Sequence, residues 1–176
     1  MIKYDYQNSI GFIINRIGKS LINVIDQELR RRFSITFGQW KVLIIIANGE
    51  GGLTQKDIAD KLALEGPTLI PILDKLEKDG FLVRKMDIKD RRINRIHLTQ
   101  KADVFLNDTI DCVAQIKKVC LNGLSESEIT ITKNTLEKMW HNLQGAFNLR
   151  FSLDDRSGSN SVHESDSNIY ISTNGN

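Results

Sequence analysis

Ile10, Ile13, Ile14, Ile17, Leu21, Val24, Ile25 and Leu29 recur at steps of three and four. That is one apolar stripe, and it predicts a long helix over about 7–32. The helix runs into Arg30, Arg31 and Arg32, cations that suit a helix C-terminus because they oppose its partial negative charge. Thr36 with Gln39 has the spacing of a capping box and opens TFGQWKVLIIIANGEGG, where Gly49, Gly51 and Gly52 close a second helix near 48. Trp40 and the run LIII are assigned to the core. Thr54 with Asp57 opens TQKDIADKL in the same way, with Ile58, Ala59 and Leu62 facing inward. After the turn ALEG, the stretch EGPTLIPILDKLEKDG carries another stripe, Leu69, Ile72, Leu73 and Leu76. Two short helices joined by a tight turn make a helix-turn-helix.

Beyond Gly80 the period changes. FLVRKM and INRIHL alternate and are rich in β-branched residues, and the polar stretch DIKDRR separates them, which predicts a hairpin with a charged tip. Thr99 begins a helical pattern through Val104, Leu106, Ile110, Val113, Ile116 and Val119 that stops at Gly123. Ser125 with Glu128 caps a last helix through Ile129, Ile131, Leu136, Met139, Trp140, Leu143 and Phe147. The expected fold class is mainly α with a small β-hairpin wing. A winged helix-turn-helix lobe spans 35–99, long helices over 1–34 and 100–150 flank it, and a Ser- and Asn-rich tail over 151–176 is too poor in apolar residues to order itself. The stripes at both ends exceed what one small lobe can cover, so a partner surface is expected.

Composition narrows this picture in a few places. At 176 residues the chain is one functional unit, and it has no apolar run long enough for a membrane span. MIKYDYQNSIGF lacks the pattern of a secretory signal, so the expected compartment is the cytoplasm. Cys112 and Cys120 would lie about 12 Å apart along one helix, too far to bridge. His97, His141 and His163 have no ligand spacing, so neither a metal nor another cofactor is expected. No phosphate loop, nucleophile elbow or carboxylate constellation points to an enzyme. Residues 1–150 carry 23 Lys and Arg against 18 Asp and Glu, a balance of +5, while 151–176 carry 1 against 4, a balance of -3. The basic part is the part expected to fold.

Much of that charge sits on the hairpin. Residues 84–95 hold Arg84, Lys85, Lys89, Arg91, Arg92 and Arg95 against Asp87 and Asp90, a balance of +4, the excess that phosphate binding needs. A helix fits the major groove of duplex DNA and a hairpin beside it reaches the minor groove. Thr54 and Gln55 open the first motif helix, where free N–H groups and a hydroxyl suit a phosphate, although Thr54 is fully explained as a cap. On the second helix the apolar stripe points inward, which places Pro67, Pro71, Asp74 and Lys78 outward with Thr68 and Lys75 at one flank. Pro67 fits the first helical position. Pro71 would then fall in the second turn at a cost of about 3 kcal/mol. The expectation is therefore a distorted or late-starting first turn with Thr68 as cap.

LTQKDIADKLALEGPTLIPILDKLEKDGFLVRKMDIKDRRINRIHLT, residues 53–99, resembles the DNA-binding core of the MarR family of bacterial and archaeal transcriptional regulators. EGPTL is closest to its SlyA-like members. DRRINRIHLT is the most specific part, fitting the family's wing and the LT that opens the next helix, and LDKLEKDGFL fits the end of its recognition helix. The resemblance implies an obligate homodimer whose terminal helices interlock, binding a pseudo-palindromic operator with half-sites about one helical turn apart. It implies that Arg92 enters the minor groove, that Asp90 orients it through a charge-assisted hydrogen bond, and that Lys89 and Arg91 meet phosphates. Arg84, Lys85 and Arg95 stay open between DNA contact and solvated strand. Many relatives have a basic or polar residue where Pro71 stands, so base readout there should be weak. The family also implies a repressor released by a small lipophilic or phenolic effector. Its peroxide sensors use an N-terminal cysteine, which Cys112 and Cys120 are not. The alternative function is a dimeric winged-helix adaptor that binds protein and has weak DNA affinity.

Overall fold

The computed structural model describes residues 5–88 and 90–147. The expected disorder of the tail lies outside the described residues. The first helix, α1 (Ile10–Phe33), opens on Ser9, whose Oγ accepts from the N–H of Phe12, and closes on Ser34 in the left-handed region with its N–H on the carbonyl of Arg30. Arg30, Arg31 and Arg32 fill the last turn as expected. The second helix, α2 (Phe37–Ala47), starts at the predicted capping box: Thr36 Oγ1 accepts from Gln39 N–H at 3.1 Å, and Gln39 Oε1 accepts from Thr36 N–H at 2.9 Å.

A two-residue strand, β1 (Leu53–Thr54), follows and was not expected from the pattern, because two residues carry no period. Then come α3 (Gln55–Leu62), α4 (Gly66–Lys78), β2 (Leu82–Met86), β3 (Asn94–Leu98), α5 (Gln100–Cys120) and α6 (Glu126–Phe147). The wing is thus a three-stranded antiparallel sheet in the order β1-β3-β2. Ile96 of β3 sits opposite Leu53 on one side and Arg84 on the other. Gly52, just before β1, has φ +83 and packs on the His97 ring, so a side chain there would be strained and would collide with the imidazole.

One core joins these elements. Leu29 of α1, Val42, Leu43 and Ile46 of α2, Ile58 of α3, Leu69, Leu73 and Leu76 of α4, Leu82 of β2, Ile96 of β3 and Leu106 of α5 are all buried together. Phe105 of α5 packs its ring against Phe33 and Phe81, tying that helix to α1 and to the start of the wing. Trp40 is half-buried, and its Nε1 donates to Thr109 Oγ1 at 3.1 Å while that hydroxyl donates to the Leu106 carbonyl at 2.9 Å. The buried threonine is therefore satisfied on both sides.

Outside the lobe the apolar stripes lack cover. In α1, Ile25 and Leu29 are buried, whereas Ile10, Ile14, Ile17 and Val24 of the same stripe are exposed, Ile10 by 58%. No residue of α6 is buried, although the predicted capping box is present: Ser125 Oγ accepts from Glu128 N–H at 3.3 Å and Glu128 Oε2 accepts from Ser125 N–H at 2.8 Å.

Candidate nucleic-acid interface

The turn Ala63–Glu65 sets α3 against α4, and both helices start near one surface. Thr54 is the cap of α3. Its Oγ1 accepts from Asp57 N–H at 3.2 Å and donates to Asp57 Oδ2 at 2.7 Å, and its own N–H donates to that same oxygen at 2.8 Å. Burial pushes the Asp57 carboxyl up, but the Thr54 hydroxyl and N–H outweigh it and hold the group below its ordinary value. The Thr54 hydroxyl proton is thus engaged within the protein. Gln55 beside it is half-buried and Lys56 is exposed. A shallow cleft lined by Gln55, Lys56 and Gly66 puts this end of α3 next to the start of α4.

The start of α4 differs from the expectation. The helix begins at Gly66, with Glu65 as an N-cap that makes no side-chain capping bond, and Pro67 is its second residue rather than its first. Thr68 is inside the helix and is not the cap; its N–H and that of Leu69 both donate to the Glu65 carbonyl, at 3.0 and 3.3 Å. Pro71 is therefore an interior proline. It has no N–H to offer the Pro67 carbonyl, a cost of about 3 kcal/mol. Leu69, Leu73 and Leu76 are essentially fully buried, each worth about 1.5–3 kcal/mol, and a late start would pull Leu69 off the core. Packing wins over the local proline rule. The outward face is as expected, with Pro67, Thr68, Pro71, Asp74, Lys75 and Lys78 exposed, and Ile70 joins them.

Arg84 of β2 reaches back to this helix. Its guanidinium pairs with Asp74 at 2.7 Å and with Glu77, and its N–H donates to Glu77 at 3.2 Å. This pairing fixes the wing to α4 and offsets one of the two carboxylate charges beside the reading face. Arg95 of β3 is also a structural residue: it pairs with Asp87 and donates to the Gly52 carbonyl at 3.0 Å. Lys75 is drawn to Asp79 at 2.9 Å. The C-terminal end of the motif is tied down by Thr99, whose Oγ1 donates to the Gly80 carbonyl at 2.7 Å.

The wing tip is ordered by its backbone. Asp90 N–H donates to Asp87 Oδ1, and Asp90 Oδ1 accepts from the backbone N–H of Arg92, both at 3.0 Å. Asp90 thus shapes the turn, and its carboxylate is bonded to the main chain of Arg92 rather than to the guanidinium as expected. Arg91 and Arg92 are both exposed, and their side chains have no hydrogen-bond or ion-pair partner among the described residues. Lys89 lies outside the described residues. Exposed Lys56, Lys78 and Lys85 are likewise without such a partner among the described residues. The site therefore offers exposed cations without a partner among the described residues on the wing and at both ends of the helix pair, together with an exposed apolar face of α4.

A helix-turn-helix followed by a basic antiparallel wing defines a winged-helix protein. The comparisons agree with that class. The MarR family model matches residues 35–93. The transcriptional regulator PA3341 is 30% identical, with a TM-score of 0.69, over 78% of this chain and 99% of that one. The transcriptional regulator SlyA is 27% identical, with a TM-score of 0.69, over 80% and 98%. MepR of Staphylococcus aureus, solved as a DNA complex, is 28% identical, with a TM-score of 0.70, over 80% and 100%. The chain belongs to the MarR family of transcriptional regulators, as the wing motif implied. No helix among the described residues is long and apolar enough to cross a membrane.

Proposed function

We propose that the protein is a homodimeric, sequence-specific DNA-binding regulator that places α4 in the major groove and the wing in the minor groove of a pseudo-palindromic operator. Residues 35–99 read DNA, and 1–34 with 100–150 hold two copies together. The observation that carries the reading is the wing tip, where Arg91 and Arg92 have no partner among the described residues while Arg84 and Arg95 beside them are paired with carboxylates. Arg92 is assigned to the minor groove, Lys89 and Arg91 to phosphates, and Asp90 to the turn that presents them. Gln55 presents its backbone N–H at the N-terminus of α3 to a phosphate, and Thr54 sets that end as the cap. Pro67, Thr68, Pro71 and Lys75 form the groove-facing side of α4.

Uncovered apolar residues on α1 and α6 support the dimer. The family resemblance carries the remaining assignment, a repressor released by a small lipophilic or phenolic effector. The test is a titration with duplex from upstream of the protein's own gene and with random duplex at several salt concentrations, alongside Arg92→Ala. Affinity should fall steeply with salt, and the variant should bind more weakly. Salt-independent binding, or an unchanged variant, contradicts the reading.

A further inference from the structure

Pro67, Ile70 and Pro71 stand at i, i+3 and i+4 on α4, which makes them neighbours on one face. All three are exposed, Ile70 by 44%, and the core is filled from this helix by Leu69, Leu73 and Leu76. Burial inside the lobe does not account for them. Of the charged groups further along the face, Asp74 is engaged by Arg84 and Lys75 by Asp79. In the first two turns, Thr68 is the one side chain able to form a hydrogen bond. The part of α4 that would enter a groove is therefore largely apolar.

Charge decides what covers this face. Cations without a partner among the described residues lie to either side of it: Lys56, with the carboxylates Asp60 and Glu65, beside the start of α4, Lys78 at its end, and Lys85, Arg91 and Arg92 on the wing that Arg84 fastens to the helix. An apolar strip on a helix with exposed cations at both its ends and on the adjoining wing complements a polyanion whose groove contains apolar groups. In the major groove the base edges offer one such group, the C5 methyl of thymine. Proline has no rotamer freedom to lose on burial and isoleucine has little, so the strip presents a fixed shape at small entropic cost.

We propose that Pro67, Ile70 and Pro71 form a methyl-reading surface, which selects operator half-sites by the thymine methyl groups that α4 meets. The proposal rests on the DNA-binding reading above and names what its recognition helix reads. Thymine and deoxyuridine differ only by that methyl. The experiment first locates the protected half-sites on upstream duplex by footprinting, then replaces their thymines by deoxyuridine one position at a time, with wild-type protein and Ile70→Ala. Each methyl that touches the strip should be worth about fourfold in affinity, the value of one buried methyl-sized group. Ile70→Ala should bind the thymine duplex more weakly and lose most of its sensitivity to the substitution at the affected position. If salt-dependent binding persists but no deoxyuridine substitution weakens it, methyl reading is overturned while the regulator reading stands. If Ile70→Ala binds the duplexes as the wild type does, the strip faces something other than DNA, such as a protein partner, and the proposal is overturned. If no duplex binds with salt dependence, the DNA-binding reading itself has failed.

Discussion

The winged lobe and the helical arms are written in the same apolar periodicity, yet they reach opposite ends. In the lobe every strong stripe finds cover: Leu69, Leu73 and Leu76 of α4 close on Val42, Leu43 and Ile58, and the sheet seals them with Leu82 and Ile96. Along α1 the cover stops midway, with Ile25 and Leu29 inside and Ile17 exposed by 51%. On α6 no residue is buried. A stripe therefore says that a face must be covered and not by which chain. The lobe supplies its own partners, whereas the arms leave apolar faces exposed, which on the proposed reading a second copy covers.

The largest effect should come from charging that half-interface. Leu136→Asp with Leu143→Asp places two carboxylates on exposed apolar positions of α6, and each would cost several kcal/mol if buried against a second chain. Light scattering should show dissociation, while circular dichroism keeps the helical signal of the lobe. An unchanged mass would mean that α6 faces solvent. Within the lobe, Leu73→Ala should lower unfolding stability by about 2–5 kcal/mol, seen as a shift of the denaturant midpoint, because the cavity forms where α2, α3 and α4 meet.

Pro71→Ala should move stability the other way. It restores an N–H for the Pro67 carbonyl at an exposed site, so a gain of about 1–3 kcal/mol and a higher melting temperature are expected. No gain would mean that α4 has adapted to the ring. The smallest effect concerns the joint between arm and lobe. Asp26 of α1 accepts from the N–H of Phe37, which begins α2, at 2.8 Å and from Arg30 at 2.5 Å. These bonds, that of Phe37 first, hold its carboxyl below its ordinary value. A depressed folded-state pKa gives stability that is present above the unfolded value and is lost as pH falls through the folded one. Acid titration below about pH 4 should destabilise the wild type more than Asp26→Asn, and equal slopes would remove the joint from the account.

Local spacing makes much of this fold legible in the sequence. The capping boxes at Thr36, Thr54 and Ser125 hold because each needs only its own four residues. The start of α4 did not follow from local rules, since the penalty at Pro71 is set against three leucines whose burial depends on helices elsewhere. The strand β1 escaped notice because two residues show no alternation. Arg84 could not be assigned from its surroundings, because its partners Asp74 and Glu77 lie ten and seven positions away across a turn. The wing motif named Asp90 and Arg92 together, but only the geometry tells a backbone N–H from a guanidinium as the bonded group.

The claim that joins these observations is that the arms are completed by a second copy of the chain. Its most direct test is the mass of the free protein by light scattering at micromolar concentration. The account predicts a homodimer of twice the chain mass of 20.0 kDa. A stable, soluble species of 20.0 kDa would contradict it.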